Sequence, residues 1–574
     1  MNTKMKKSIL YIVAASSLML ASCDSMLDKN PRDTFSNTPE FWNNADQVQS
    51  YSNGFYENYI GYANGTSYGW FYFKSLSDDQ NNPDFDNWTN TTVPNTSKNW
   101  NDKFTAIRRI NYMLDGLKGS SLPAAKKAEF EGIGRLNRAW MYYQLVREYG
   151  DVQWEDYAIL DPNDEAVYGE RTDRDVVMDN VLADLNYAVE NIPASSSKVL
   201  WSKNMALAMK SDICLWEGTF CKYRTAADNG KAADATRAKK YLEESVKASE
   251  AIINSKSYSL NATYGSVYNS LDLKSNSEII FSRHYEKDVL SHGLADFCCG
   301  STTQRGISKD AIDAFLFLDG KPKATTALDP NDKVVKNEDN NYSIAHLLKN
   351  KDKRLSVLID SIVCYNGHGW VRNEPSPDGA LPAEMTSCTG YTIKKYDQPL
   401  LPLYYRTNTT TGYTDAPLYW YAVILLNEAE AKAELGTITE SDLDATINKL
   451  LNRAGLPDMT LTPDADPANN MNVSNLIWEI RRCRRCELMC DNWYRYWDLV
   501  RWHQLDKLDS NEHPNINRGA NLTGADQTGV SVDANGYMIA TSATRTFNKK
   551  YYLYPIPTNE LNLNKDKIQQ NLGW

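Results

Sequence analysis

Apolar residues recur along most of this chain at spacings of three and four. Phe130, Ile133, Leu136, Trp140 and Tyr143 form one such stripe, with Arg135 and Arg138 off it. That period predicts a helix, opened after Pro123 and closed at Gly150-Asp151. Asp175 to Ile192 repeats the pattern and stops at Pro193. Further helices are expected over about 202–221, 236–254, 418–435, 441–453 and 473–502. Small residues at Ala429, Ala433 and Gly436 suit close packing against a partner helix, so the helices read as irregular tetratricopeptide-type pairs. Alternation is rare and short, at 278–282, 391–396 and 551–554. The expected fold class is mostly α, with long loops and a few short strands or hairpins.

Four segments carry neither period: 61–100, 283–306, 361–390 and 508–546. Structureless stretches of that length are uncommon in compact domains and usually carry function. The first holds nine aromatic residues, from Tyr62 to Trp100.

Composition narrows the class. Hydrophobic residues are 42% and charged residues 24%, an ordinary globular balance that excludes wholesale disorder. Net charge is -11, opposite to the sign a nucleic-acid footprint needs. The chain starts with Lys4, Lys6 and Lys7, then an apolar run from Ile9 to Leu20, then Leu20-Ala21-Ser22-Cys23. Small residues before a cysteine at the end of such a run make a lipobox, so 1–22 reads as a lipoprotein signal peptide. Cys23 is then the lipidated residue that anchors the chain to a membrane, and 23–35 is a polar tether. Nine cysteines remain, an odd number; Cys483, Cys486 and Cys490 read better as small buried residues on one helix face than as metal ligands.

No phosphate-binding loop, dinucleotide fingerprint, nucleophile elbow or H-E-x-x-H occurs, and six scattered histidines form no evident cluster. Asp78 to Asp86 is rich in oxygen ligands but lacks the EF-hand glycine and closing glutamate, so structural calcium is a minor alternative to no cofactor and no metal. A glycosidase needs two carboxylates at a set separation, which sequence does not single out among 73 acidic residues. Glu487 shares a helix face with Cys483 and Cys490 and needs a partner if buried. Arg484, Arg495 and Arg501 are the candidates, so Glu487 and Asp498 are expected to form a structural ion network with them.

Ordered motifs then add up. They include Cys23-Asp24-Ser25, Ile107-Arg108-Arg109-Ile110-Asn111, Arg135 to Val152 with its Tyr149-Gly150-Asp151-Val152 end, and Asp313-Ala314-Phe315 with Asp319-Gly320-Lys321-Pro322. Lys353-Arg354-Leu355, Arg453-Ala454-Gly455-Leu456-Pro457, Arg484-Arg485-Cys486-Glu487-Leu488 and Arg495-Tyr496-Trp497-Asp498-Leu499 follow in order. Over almost the whole mature chain the sequence resembles the SusD/RagB-like outer-membrane lipoproteins of Bacteroidetes. The resemblance implies a SusD-like fold with an N-terminal helical region, 36–277, and a C-terminal SusD/RagB region, 278–574, packed as one unit. It also implies a cell-surface, outer-membrane, non-catalytic protein that captures oligo- or polysaccharide and delivers it to a SusC-like TonB-dependent transporter.

Flat rings take the apolar face of a sugar, and Asp, Asn, Arg or Lys take its hydroxyls. On that chemistry, Trp70, Trp88, Tyr285, Phe297 and Trp370 are the expected ligand-binding rings, with Asp86, Asn87 and His292 as polar contacts. A peptide-binding member of the same architecture and a surface glycoside hydrolase are the alternatives.

Overall fold

The computed structural model describes residues 37–574, apart from Thr66, Ser301, Thr302, Lys565 and Asp566. The expected signal peptide, Cys23 and the expected tether therefore lie outside the described residues. Ten helices of eight or more residues are present among those described: α1 Ala45–Asn53, α2 Lys98–Lys118, α3 Ala124–Tyr149, α4 Arg174–Asn191, α5 Lys203–Tyr223, α6 Ala235–Asn254, α7 Tyr421–Leu435, α8 Ile447–Ala454, α9 Asn475–Glu487 and α10 Tyr494–Arg501.

Caps set several of their starts. Ser97, Asp173, Ser202, Asp234 and Ser474 each accept a backbone N–H of the first turn with the side chain. The helices pack in chain order, α2 on α3, α3 on α4, α4 on α5 and α5 on α6. α7, from far down the chain, lies against both α5 and α6. Gly218 lets α5 and α6 approach: a Cβ there would stand 2.7 Å from Leu242 Cγ and 3.0 Å from the Leu242 backbone N.

The expected single helix over 473–502 is two. The chain leaves α9 after Glu487, and Cys490, Asn492 and Trp493 take φ of +66°, +45° and +56° before α10 begins. Three non-glycine residues in the left-handed region cannot continue a right-handed helix. They persist because the corner is tied down: Tyr72 N–H donates to Cys490 O at 2.9 Å, and Tyr396 Oη to the same oxygen at 3.0 Å. The start of the expected 418–435 helix is instead a strand, Ala416–Trp420, paired antiparallel with Ile279–Arg283. The expected strand at 551–554 overlaps a 3-10 turn, Lys549–Tyr552.

A six-stranded sheet joins the two parts of the chain. Its spatial order is Gln80–Asn81, Gly306–Ile307, Tyr391–Ile393, Ile359–Val363, Tyr342–Ser343, Val335–Lys336, with antiparallel neighbours throughout. Its first strand comes from the long segment 61–100, in the register Gln80 opposite Ile307. That segment is not a free surface loop. Tyr62, Phe71, Tyr72, Phe73, Leu76 and Trp88 are all buried in the main core. Among the described residues no helix is long and apolar enough to cross a membrane.

Candidate functional site

Two short helices carry the best candidate surface. Leu294–Cys299 turns Leu294, Ala295, Cys298 and Cys299 inward and leaves Asp296 and Phe297 half-buried on the outer side. The Cys299 thiol fixes that orientation by donating to Ala295 O and Arg406 O. This helix packs against Leu403–Thr407. Thr409, just beyond the second helix, donates to Asp296 Oδ2 at 3.0 Å.

Tyr68 completes the surface from the other end of the chain. A Cβ on Gly69 would stand 2.5 Å from Gly61 O, so only glycine lets the segment fold back on itself here. Tyr68 is left 64% exposed, the most open aromatic ring among the described residues. Its ring lies 5.1 Å from Phe73 and 6.1 Å from Phe297, and Phe73 meets Phe297 edge-on at 4.9 Å. The Arg305 guanidinium sits 5.7 Å from the Phe73 centroid and 5.9 Å from Tyr72. Next to this group, Tyr404, Tyr405 and Tyr413 form a second run of rings at 5.0 and 5.4 Å, with Lys287 over Tyr405 and Asp288 accepting from its hydroxyl. Exposed rings beside hydroxyl, carboxylate and guanidinium groups can hold a sugar by its face and its edge at once.

Of the expected ligand residues, Phe297 stands in this group and the others stand apart from it. Trp88 is 6% exposed, stacked on Tyr551 at 4.3 Å, with its Nε1–H given to Thr546 O at 2.9 Å. Both the ring and its polar handle are used in packing, which corrects its reading as an open platform. Asp86 accepts from Ser75 and Asn82, and the exposed Asn87 accepts the Trp88 N–H. Trp70 is half-buried beside Arg147 and Trp140. Trp370 is half-buried, with its backbone bridged to Met385 in both directions.

Tyr285 and His292 are corrected in the same way, at 1% and 0% exposed. Tyr285 Oη donates to Ala63 O at 2.5 Å, and its ring meets His292 edge-on at 4.7 Å. His292 Nδ1 accepts from Leu294 N–H while Nε2 faces Thr414 O at 2.9 Å, so the Nε2–H tautomer is the one that satisfies both. Burial pushes the His292 pKa down to about 4. The unfolded chain therefore binds a proton near pH 6.5 that the folded chain refuses, and this site's stability falls as pH drops from 6.5 toward 4. The loss of unfolding free energy between pH 7 and pH 5, measured by urea denaturation, is expected to be about 2 kcal/mol smaller in His292→Gln than in the parent. Equal losses would refute a neutral buried imidazole.

The charged residues expected to be structural are buried, with partners partly different from those expected. Arg484 donates to Asp498 at 2.8 Å, and Arg501 to Asp498 at 2.8 Å and to both Glu430 oxygens at 2.6 and 2.7 Å. Glu487 instead meets Arg354 at 2.9 Å and Arg453. Arg495 makes a two-pronged contact with Asp78, both bonds 2.7 Å. Arg354, Arg453, Glu430 and Asp78 are thus the partners that spacing alone did not reveal. The first two were visible as the arginines of the 353–355 and 453–457 motifs.

Asp78 and Asp79, the head of the oxygen-rich stretch, are both engaged by Arg485, Asp79 at 2.7 Å. Asp175, Glu217 and Cys221 can bring ligand atoms within 4.8 Å of one another. Arg224 takes Asp175 at 2.7 Å, and Arg237 takes Glu217 at 3.3 Å, so that cluster is an ion network.

Known proteins show the same architecture. The description "SusD family" matches residues 277–574, and "Starch-binding associating with outer membrane" matches 24–215. A SusD-like protein, P38, of Formosa agariphila is 23% identical over 519 residues, 86% of this chain and 91% of its own. A second from that organism, P2, is 24% identical over 451 residues, 76% of this chain and 72% of its own. A crystal structure described as a SusD-like carbohydrate binding protein from Bacteroides fragilis superposes with a TM-score of 0.68. It is 22% identical and covers 91% of this chain and 99% of its own. The SusD family is one of non-catalytic binding proteins, and with over half its length matched, this chain belongs to it.

Proposed function

We propose that this protein captures oligo- or polysaccharide at the outer-membrane surface, held there by lipid on Cys23, and passes it uncut to a SusC-like TonB-dependent transporter. The observation that carries the reading is the open ring of Tyr68 on its Phe73–Phe297 support, with Asp296, Thr409 and Arg305 beside it. Family membership supports it, as do the described starch binding of the family matching 24–215 and the described carbohydrate binding of the Bacteroides fragilis relative.

Relative to the residues expected from the first and middle segments, the proposed site centres on Tyr68, Phe297 and the turn at Thr409. Phe297 remains a ligand ring, Tyr68 joins it, and Tyr285 and His292 belong to the core, while Trp88 packs elsewhere, on Tyr551.

The test is calorimetry and affinity electrophoresis of the full chain in detergent against a panel of polysaccharides and extended peptides. Tyr68→Ala is expected to lower glycan affinity about tenfold or more, the size of one lost central ring contact, with an unchanged unfolding midpoint. Binding of peptides and of no glycan would overturn the substrate class. Release of reducing sugar from a bound glycan would overturn the non-catalytic reading.

A further inference from the structure

Many of the buried arginines in this protein are matched by carboxylates. Arg354, Arg372, Arg406, Arg484, Arg495 and Arg501 each have a carboxylate within 3.0 Å. That is what burial requires of a guanidinium. Arg305 is held differently, as is the buried Arg147, which also lacks an ion pair among the described residues and lies over four aromatic rings. Among the described residues Arg305 makes no ion pair, and its Nε is buried with no hydrogen-bond partner. What lies against it is aromatic: the neighbouring rings of Phe73 and the fully buried Tyr72, at 5.7 and 5.9 Å. Ring faces steady a guanidinium electrostatically without using up its N–H groups.

The same Phe73 supports Tyr68, at 5.1 Å from that ring and 5.7 Å from Arg305. A planar fork with no carboxylate partner among the described residues therefore stands one ring away from the most open aromatic platform among them. Neutral sugar hydroxyls can be met by Asn, Asp or Thr. A guanidinium kept free of carboxylates matches an oxyanion, which it binds through two parallel N–H···O bonds.

The fold also keeps a nearby acid occupied. Asp296 is engaged by Thr409, and Burial raises its carboxyl above the ordinary range. Net charge over the chain is -11, so an anionic ligand gains nothing from the protein's long-range field and must be drawn by a local cation.

Resting on the glycan-capture reading above, we infer that Arg305 makes the Tyr68–Phe297 platform selective for an acidic glycan, one carrying a carboxylate or a sulfate ester on the sugar that stacks on the rings or on its neighbour. The two oxyanions share this recognition chemistry. A bidentate contact of this kind is strong, short-ranged and weakened by salt only as far as water reaches it.

The full chain in detergent is titrated calorimetrically with three oligosaccharide series of matched length: neutral glucans, uronic-acid oligomers and sulfated oligomers. Arg305→Gln and Tyr68→Ala are run alongside. One acidic series is expected to bind the parent protein at least tenfold tighter than the neutral series, the carboxylate and sulfate arms saying which oxyanion is used. Arg305→Gln is expected to lower that affinity about tenfold to a hundredfold, the range for a hydrogen bond to a charged group, and to weaken the neutral series by a clearly smaller factor. Tyr68→Ala is expected to weaken every series.

Neutral glycans bound as tightly as acidic ones, or an Arg305→Gln loss equal for both, would overturn the selectivity while leaving glycan capture standing. An absence of binding to all three series would overturn glycan capture itself. Arg305→Lys is the control for shape: it keeps the charge, loses the fork, and is expected to recover less than half of the lost binding energy.

Discussion

Asp78→Ala is expected to destabilise the protein by about 3–5 kcal/mol, the cost of stranding a buried guanidinium. The stranded group is Arg495, whose only carboxylate contact among the described residues is the pair of 2.7 Å bonds to Asp78. Arg485 loses its 3.4 Å contact but keeps Asp79 and Asp310. Burial alone would raise the Asp78 carboxyl; Arg485 and Arg495 outweigh it and hold the group well below the usual range. A depressed folded pKa gives stability that is present above the unfolded value, near 4, and is lost as pH falls through the folded one. The difference between parent and Asp78→Ala in urea denaturation should therefore be largest at neutral pH and shrink on acidification below about pH 4. A difference below about 1 kcal/mol at pH 7 would mean that Arg495 finds another partner.

The second large effect lies at the corner between α9 and α10. Lys395 and Asp491 are both fully buried, joined by two bonds of 2.8 Å, with the ammonium 3.7 Å from the Tyr268 ring centroid. Tyr396 Oη adds a bond of 2.7 Å to the carboxylate. Burial pushes Lys395 down and Asp491 up, each toward its neutral form, against their mutual attraction.

Lys395→Met leaves that carboxylate without its cation and is expected to cost about 3–5 kcal/mol. Replacing both, as Lys395→Met with Asp491→Leu, is expected to restore most of the loss, because the desolvation penalty disappears together with the attraction. Unfolding free energies of the two singles and the double settle the coupling. A double variant as unstable as the sum of the singles would show that the pair's hydrogen bonds to Tyr396 and Met489 O, rather than the pairing itself, hold the corner.

The helices were legible because each writes its packing into its own stripe, and caps such as Ser202 and Asp234 mark where it begins. The corner at 488–493 was not. Its left-handed residues are Cys490, Asn492 and Trp493, and no glycine announces the turn. Residues 61–100 misled for a different reason. Asp78, Asp79, Gln80, Asn81 and Asn82 read locally as a solvated loop, yet all are buried. What pays for that burial is partners such as Arg485, Arg495 and Ile516 O, some 400 residues away in the chain. Nothing local encodes a distant partner.

The site was half legible for the same reason. Phe297 stood out as an aromatic in an aperiodic stretch. Tyr68 was one ring among nine, and what separates it from the buried Tyr62 and Tyr72 is the fold-back at Gly69, visible only in three dimensions. Trp88 was expected as a ligand ring for its flat face, but a large flat face is also worth much to a core.

The proposed binding face joins Tyr68 and Phe73 to Phe297, Arg305 and Thr409, with a span of more than 300 residues between the first and the last. A chain emerging from an export channel in N-to-C order has no such face until its second half has docked on its first. On the proposed reading, ligand affinity is therefore also an assay of finished folding: a truncated or half-assembled molecule would lack the face and would not compete with complete neighbours for sugar.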